Sequence, residues 1–297
     1  MHIRDCRLLI ALAEHRHFAR AAAACNISQP AFSARIQALE QALGVRLVER
    51  GSRFERFTAE GERALGWFRQ IVALADGMEQ ALAGRDGTVS GRLRLAVIPT
   101  QLPVAGELVC LLQARHPGIE ATVVSRAANA IDMAIARFEI DAGLTYVDTA
   151  RSRDMRLEAL YDEHLVLVAP AGLVGGGRDP VAWAEAARLP LALLTPDMQN
   201  RRIIDAAFQG VGARPRLRFE GDTFTALMGA VRLGDTATIL PHDHAAMFAA
   251  DPGLVLRPLV APEVRSPVGL AAARREPELP VVAALFDTAR RRFPGGR

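Results

Sequence analysis

Cysteine is scarce, lysine is absent and no long apolar run occurs. The three cysteines, Cys6, Cys25 and Cys110, are far apart and odd in number, which excludes a disulfide framework and a CxxC metal or redox motif. Arg, Glu, Asp, Gly or Pro interrupts every apolar stretch before the ~18 residues that a membrane helix needs. The segment from Met1 to Arg7 has no clean apolar run ending in a small-residue cleavage site, and Arg16 and Arg20 interrupt the next stretch. A soluble protein that stays in the cytoplasm is therefore expected. Half of the residues are hydrophobic and 23% are charged, which excludes a disordered chain. A length of 297 residues exceeds one ordinary core and predicts two or three domains.

All 36 basic residues are arginine, and the formal net charge is only +3. Residues 1–58 hold nine arginines (4, 7, 16, 20, 35, 46, 50, 53, 56) and five acids (5, 14, 40, 49, 55), which leaves +4 in this segment and −1 in the rest. A small basic module on a nearly neutral body is the charge footprint of nucleic-acid binding. The use of arginine alone fits compositional bias, since alanine and glycine are also abundant, and it suits forked contacts to phosphate.

In the basic segment the apolar residues Ile3, Cys6, Leu9, Ile10 and Ala13 recur at helical spacing, and an alanine-rich helix comes next, from Phe18 to Cys25. Asn26-Ile27 breaks it. Ser28 is placed to cap a third helix, with Gln29 and Pro30 in its first turn, Phe32, Ile36, Leu39 and Leu43 as its inward stripe, and Gly44 as its stop. Two helices joined by so tight a turn make a helix-turn-helix. With that stripe inward, the outward set is Gln29, Pro30, Ser33, Ala34, Arg35 and Gln37, short polar groups plus an arginine that can reach base edges in a major groove. A solvated helix face is also polar, so context must decide. Val45–Val48 and Arg50–Thr58 read as a two-stranded wing whose Arg50, Arg53 and Arg56 are placed for backbone or minor-groove contact.

Residues 9–62 resemble the amino-terminal domain of LysR-type transcriptional regulators. The resemblance rests on Ala21-Ala22, Ser28-Gln29-Pro30-Ala31-Phe32-Ser33, Leu39-Glu40, Leu43-Gly44-Val45-Arg46-Leu47, Glu49-Arg50 and Thr58-Ala59-Glu60-Gly61. The chain departs from the usual pattern at Val48, Phe57, Arg16-His17 and Ala34-Arg35, the last able to shift base preference. The resemblance implies an all-α amino-terminal part carrying the winged helix-turn-helix (residues 1–58), with Ser28, Gln29, Pro30, Ser33, Arg35, Gln37, Arg50, Arg53 and Arg56 on DNA. It further implies a linker helix and hinge (59–91) and an α/β effector domain of two lobes, as in type 2 periplasmic binding proteins (92–297; lobe I 92–161 and 268–297, lobe II 162–267). Double-stranded promoter DNA, a second copy of the chain and RNA polymerase are the implied partners, the assembly being a homodimer or homotetramer.

Thr58–Gly84 has the period of one long helix, with Leu65, Phe68, Ile71, Ala75, Met78 and Leu82 as a stripe that suits a two-helix seam. Arg85–Gly91 is the expected hinge. Beyond it strands and helices alternate from Arg92 to Arg292, the α/β pattern. Open α/β sheets bind ligands beyond the carboxyl ends of their strands. Ile98-Pro99-Thr100-Gln101 and Thr145-Tyr146 end two such strands. Across the cleft, Thr195–Arg202 offers Gln199, Asn200 and either Arg201 or Arg202, with Thr223 a further candidate. Hydroxyls, amides and an arginine near helix starts suit a small organic or inorganic anion, although Thr100 and Asp197 also read as ordinary helix caps. The Asp197–Arg202 fragment resembles regulators found beside genes for one-carbon acids such as formate or cyanate.

Other constellations fail. His242 and His244, two apart at a helix start, diverge and have no third metal ligand. Gly175-Gly176-Gly177 lacks a phosphate-loop pattern, and no GxSxG, HExxH or nucleophile–base–orienter set occurs. No cofactor or metal is expected, and the chain is read as a regulator and not an enzyme. An α/β enzyme with a regulatory helical domain and a transport-type solute-binding module remain as the competing classes.

Overall fold

The computed structural model describes residues 1–50, 54–83, 88–147, 155–177 and 179–295, with the backbone alone for Arg50 and Ala83. Three helices, α1 (Ile3–His15), α2 (Phe18–Ala24) and α3 (Gln29–Leu43), precede the ribbon of β1 (Val48–Arg50) and β2 (Phe54–Phe57). The local rules act as expected at both ends of α3. Ser28 Oγ accepts from the Ala31 amide, and Gly44 stops the helix at φ 70°, a conformation that glycine adopts without steric cost. Phe32, Ile36 and Leu39 are buried, but Leu43, in the last turn, is 39% exposed and lies outside the inward stripe. Arg53 and residues 84–87 of the expected hinge lie outside the described residues.

Helix α4 (Ala59–Ala83) starts where Thr58 Oγ1 donates to the Arg46 carbonyl at 2.7 Å and accepts from the Gly61 amide at 2.9 Å. Its apolar residues divide between two jobs. Leu65 and Phe68 are buried in the core formed by α1 to α3, so the expectation that the whole stripe lacks a core of its own is corrected: this half packs against α1. Trp67, Leu74, Met78 and Leu82 are exposed and fall on one face with Ile71, at spacings of three and four. Toward the other end Ala73 joins the core of lobe I, Gly77 lies beside Leu279, and Arg69 pairs with Glu139 at 3.4 Å. One rigid rod thus touches both the helical domain and the α/β body.

That body contains β3 (Ser90–Val97), a 3₁₀ turn (Pro99–Gln101), α5 (Leu102–Arg115), β4 (Gly118–Ser125), α6 (Ala128–Ala136), β5 (Ala142–Tyr146) and the long strand β6 (Met155–Pro170). Lobe II comprises α7 (Ala171–Val174), β7 (Val181–Ala182), α8 (Trp183–Ala186), β8 (Pro190–Leu194), α9 (Gln199–Gly210), β9 (Arg216–Gly221), α10 (Phe224–Arg232), β10 (Ala237–Pro241), α11 (His242–Ala246) and β11 (Leu254–Val260). The chain returns to lobe I through β12 (Arg265–Ala273) and ends on α12 (Pro280–Arg292). Sheet order is β4-β3-β5-β12-β6-β10-β8-β9, with β11 on β6 and β7 on β11.

Strand β6 is the joint. Its residues 155–164 pair with β12 in lobe I, whereas 165–170 pair with β10 and β11 in lobe II. Strand β11 escapes a sequence reading because Arg257-Pro258 interrupts it, yet it pairs only with β6 and the short β7, where a missing amide is tolerated. Each lobe has its own core, and lobe II has one on each face of its sheet.

The contact between the helical domain and α4 depends on Gly61, since a Cβ there would lie 2.0 Å from the Leu47 carbonyl oxygen. Gly61→Ala is expected to cost ~1–3 kcal/mol in denaturant unfolding through overpacking. Gly66→Ala in the same helix meets nothing within 4 Å and should be neutral or stabilising, by up to ~1 kcal/mol.

Candidate functional site

The exposed face of α3 carries Gln29, Pro30 and Gln37, with Ser33 half-buried beside them and Ser28 exposed at the cap. Phe32, Ile36 and Leu39 hold the opposite face against α1 and α2, which fixes the orientation of these short side chains. Arg35 differs from its expected role. Its guanidinium reaches back to the buried Asp5, with Nε and Nη2 at 3.0 and 2.8 Å from Oδ1, so it braces α3 against α1. Asp5 is in turn held ionised below the ordinary carboxylate range: burial opposes this, but the His2 amide and Arg35 outweigh it. On the ribbon, Arg56 pairs with Glu49 at 2.5 Å while remaining exposed, and Arg50 ends β1.

The second candidate site lies between the lobes. Ile98, Pro99, Thr100, Ala127, Ala128, Tyr146, Leu194, Met198, Gln199 and Asn200 enclose about 10 Å³, close to the space a single water needs. The structure therefore brings together four of the expected effector residues: Thr100 beyond β3, Tyr146 at the end of β5, and Gln199 and Asn200 opening α9. Asn200 is 3% exposed, and neither of its amide atoms has a hydrogen bond of normal geometry. Burial of an amide without such bonds is costly.

Four expected residues stand elsewhere. Gln101 is one layer behind the cavity, bonded to Glu163 and Tyr161. Thr145 is buried but does not line the cavity, because neighbours on a strand face opposite sides. Thr223 is an exposed cap whose oxygen accepts from the Ala226 amide. Arg201 is fully engaged within lobe II: Nη1 donates to the Leu194 carbonyl and to Glu220, both at 2.6 Å, and Nε donates to Asp205. Arg202 donates to the Asp197 carbonyl, so neither arginine faces the cavity.

Behind Thr100 and Tyr146 lies a group that pattern reading missed. Glu163 on β6 is 4% exposed; it accepts from the Tyr146 hydroxyl at 2.8 Å and from Gln101 Nε2 at 2.6 Å. Burial raises its carboxyl to about 7, against the opposing hydrogen bonds of Tyr146, Thr100 and Gln101, and Asp243 adds a like charge. Burial and Glu163 also hold the Tyr146 phenol well above its ordinary value, with Thr100 and Asn200 opposing. From lobe II, His244 bonds to the Thr100 backbone and lies 4.3 Å from the Phe224 ring; burial depresses its imidazole, and its Nδ1 is buried without a partner. Two signals in the sequence point here: an acid two residues before the apolar run 165–170, and the chain's two tyrosines, Tyr146 and Tyr161, both drawn into this network.

Above its ordinary value of 4.5 the Glu163 carboxyl ionises in the unfolded chain, whereas the folded chain keeps the proton up to about 7. The unfolded state then binds fewer protons, so this group lowers stability as pH rises through that window. Glu163→Gln is expected to raise the unfolding midpoint at about pH 8, by an amount on the order of 2–3 kcal/mol, and to change it little at about pH 4.

Comparison with known proteins agrees with this layout. Residues 3–62 match the bacterial regulatory helix-turn-helix protein, lysR family, and residues 86–294 match the LysR substrate binding domain. The chain is 28% identical over 298 residues to the DNA-binding transcriptional dual regulator OxyR of Escherichia coli (strain K12), covering 99% of this chain and 97% of that protein. It is equally 28% identical to the hydrogen peroxide-inducible genes activator of Pectobacterium carotovorum subsp. carotovorum, covering 99% and 98%. Among solved structures, a full-length OxyR point variant from Pseudomonas aeruginosa superposes with a TM-score of 0.78 at 22% identity over 98% of both chains. CbnR in complex with its target DNA superposes at 0.68 and 24% identity, over 98% of this chain and 99% of that one. Among the described residues, no helix is long and apolar enough to cross a membrane. The chain belongs to the LysR family of DNA-binding transcriptional regulators, with a helix-turn-helix domain and an effector-binding domain.

Proposed function

We propose that the chain reads a promoter sequence with Gln29, Pro30, Ser33 and Gln37 of α3, and that a small effector in the interlobe cavity controls how two such readers are spaced. The observation that carries the effector half is Asn200: a buried amide with no hydrogen bond of normal geometry at either atom, beside Thr100, Tyr146 and Gln199. Effector control is a coupling free energy between cavity and DNA arrangement, ordinarily ~1–3 kcal/mol. RNA polymerase is the partner on which such a promoter-bound regulator would act.

The curated relatives named above include a peroxide-inducible activator, yet thiol chemistry in the cleft has no support here. Cys6 and Cys25 belong to the helical domain, Cys110 is exposed on α5, and none of the three lines the cavity. A non-covalent ligand fits the hydroxyls and amides that are present. The expected anion keeps these donors but loses its arginine, since Arg201 is spent on Glu220 and Asp205. Formate and cyanate are useful small probes of that class.

Dimerisation is assigned to the exposed α4 face of Trp67, Leu74, Met78 and Leu82, with Ile71 half-buried at its edge against the helical core. These residues leave a contiguous apolar seam on a helix whose opposite side is already packed, and a second copy of the same helix is the self-complementary cover. The domain limits 1–58, 59–91 and 92–297, with lobe I as 92–161 and 268–297 and lobe II as 162–267, belong to the same reading; the end of β2 at Phe57, the start of β3 at Ser90 and the change of partner along β6 between 164 and 165 support it.

DNA reading is tested by titrating labelled DNA from upstream of the gene against excess random competitor. Gln29→Ala with Ser33→Ala is expected to erase discrimination between the two while leaving salt-dependent binding. Arg56→Ala should weaken binding to both and reduce the salt slope by about 1. Equal loss on specific and random DNA in the double variant would remove the base-reading role.

The seam is tested separately. Leu74→Asp with Met78→Asp should shift the protein to monomer in sedimentation velocity and lower operator affinity at least ~10-fold, while the helical content stays unchanged. A dimer of unaltered stability in that variant would place the interface elsewhere.

A further inference from the structure

This inference rests on the reading of the interlobe cavity as the effector site and concerns what enters it. The hydroxyls that face a ligand there are not free. Tyr146 donates to Glu163 Oε1, and Thr100 also acts as a donor toward that carboxyl, while Gln101 Nε2 holds Oε2. Glu163 thus occupies, from behind, the donors that an incoming anion would use from the front.

Among the described residues, no cation pairs with it. The charged and titratable groups that bear on Glu163 are Tyr146 from β5, Tyr161 from β6 itself, and Asp243 from α11, whose carboxylate adds negative charge. His244, also on α11, is bonded to the Thr100 backbone, and its imidazole is depressed toward the neutral form by burial. Arg292 on α12 acts on Asp243 and Tyr161 but is held by Glu107 at 2.6 Å. An anion placed against Thr100 and Tyr146 while Glu163 is ionised would put two negative charges in one desolvated site, an arrangement in which one carboxyl holds a proton.

We propose that the cavity takes a small carboxylate, or an oxyanion of similar size, together with one proton that Glu163 holds. In the balance, the ligand anion and one solvent proton enter; the Glu163 carboxylate becomes a carboxylic acid, and no other bond changes. Protonated Glu163 no longer needs the Tyr146 and Thr100 hydrogens as an ion does, and these turn to the ligand beside the buried Asn200 amide. The raised carboxyl of Glu163, at about 7, places this exchange near neutrality. The effector response then senses acid as well as the acid's anion.

The test uses the full-length protein and isothermal titration with formate, acetate, glycolate and cyanate, with formamide and acetamide as uncharged counterparts. Runs at about pH 6 and about pH 8, in two buffers of different ionisation heat, give affinity and proton uptake together. At least one acid is expected to bind, about tenfold more weakly for each pH unit above 7, with uptake approaching one proton at the higher pH. Glu163→Gln should abolish the slope and bind that acid more tightly than wild type at about pH 8. Asn200→Ala should weaken binding at least tenfold at both pH values.

An acid bound with equal affinity at both pH values overturns the proposal, as does an unchanged slope in Glu163→Gln, tighter binding of the amides, or no binding by any acid at about pH 6. The cavity reading fails separately: proton-linked binding that survives both Asn200→Ala and Thr100→Val places the ligand elsewhere. Binding lost in those variants but independent of pH keeps the cavity and removes only the proton.

Discussion

Strand β6 belongs to two sheets at once, and the remaining architecture is arranged around that constraint. Its first ten residues are committed to β12 and its last six to β10 and β11, so each lobe is pinned to the same continuous backbone. Glu163 falls within two residues of the changeover. Its hydrogen bonds reach Gln101 beyond β3 and Tyr146 on β5, both in lobe I, while the charge of Asp243 acts on it from α11 in lobe II. Parallel strands on either side deliver Thr100 and Asn200 to the same gap, as open α/β sheets do at the carboxyl ends of their strands.

The route from the cleft to the DNA-reading helix is mechanical. Helix α4 buries Leu65 and Phe68 in the helical domain and Ala73 in the core of lobe I, and Gly77 lies beside Leu279 at the entry to α12. Arg69 adds a half-buried pair with Glu139, next to α6, whose amino-terminal Ala128 lines the cavity. Packed contacts of this kind have few alternatives and shift as units, so a displacement of lobe I tends to carry α4 with it. The Asp5–Arg35 pair matters at the far end: it fixes the recognition helix to α1, so that the reader moves as one body.

The features legible in the sequence are those that short-range chemistry decides. The α3 stripe, the Ser28 cap, the Gly44 stop and the Thr58 start all depend on neighbours within a few residues, and the observed hydrogen bonds agree. The pairing of cleft residues across the lobes was legible by class, since strand ends in an α/β sheet converge. Pairings of long sequence separation were not. Arg35 meets Asp5 thirty residues away, Arg201 meets Glu220 nineteen away and Gln101 meets Glu163 sixty-two away, and each changes a residue's role without leaving a local mark. The stripe on α4 looked continuous because its period is continuous; only the tertiary packing divides it between a core and a free seam.

The electrostatics of the cleft invert a simple rule. A cluster of hydroxyls, amides and an arginine at helix starts reads as an anion site, and that reading counts the arginine as the source of attraction. Here the buried arginine is neutralised by two acids, and the charged group bonded to the cavity's Tyr146 is an acid. Attraction for an anion must then come from oriented donors, and those donors are shared with Glu163. A shared set of donors makes ligand and side chain competitors for the same hydrogens. Competition of that kind is resolved by moving the lightest charge available, a proton. The cleft as it stands has room for about one water, so a carboxylate that enters must also part the lobes.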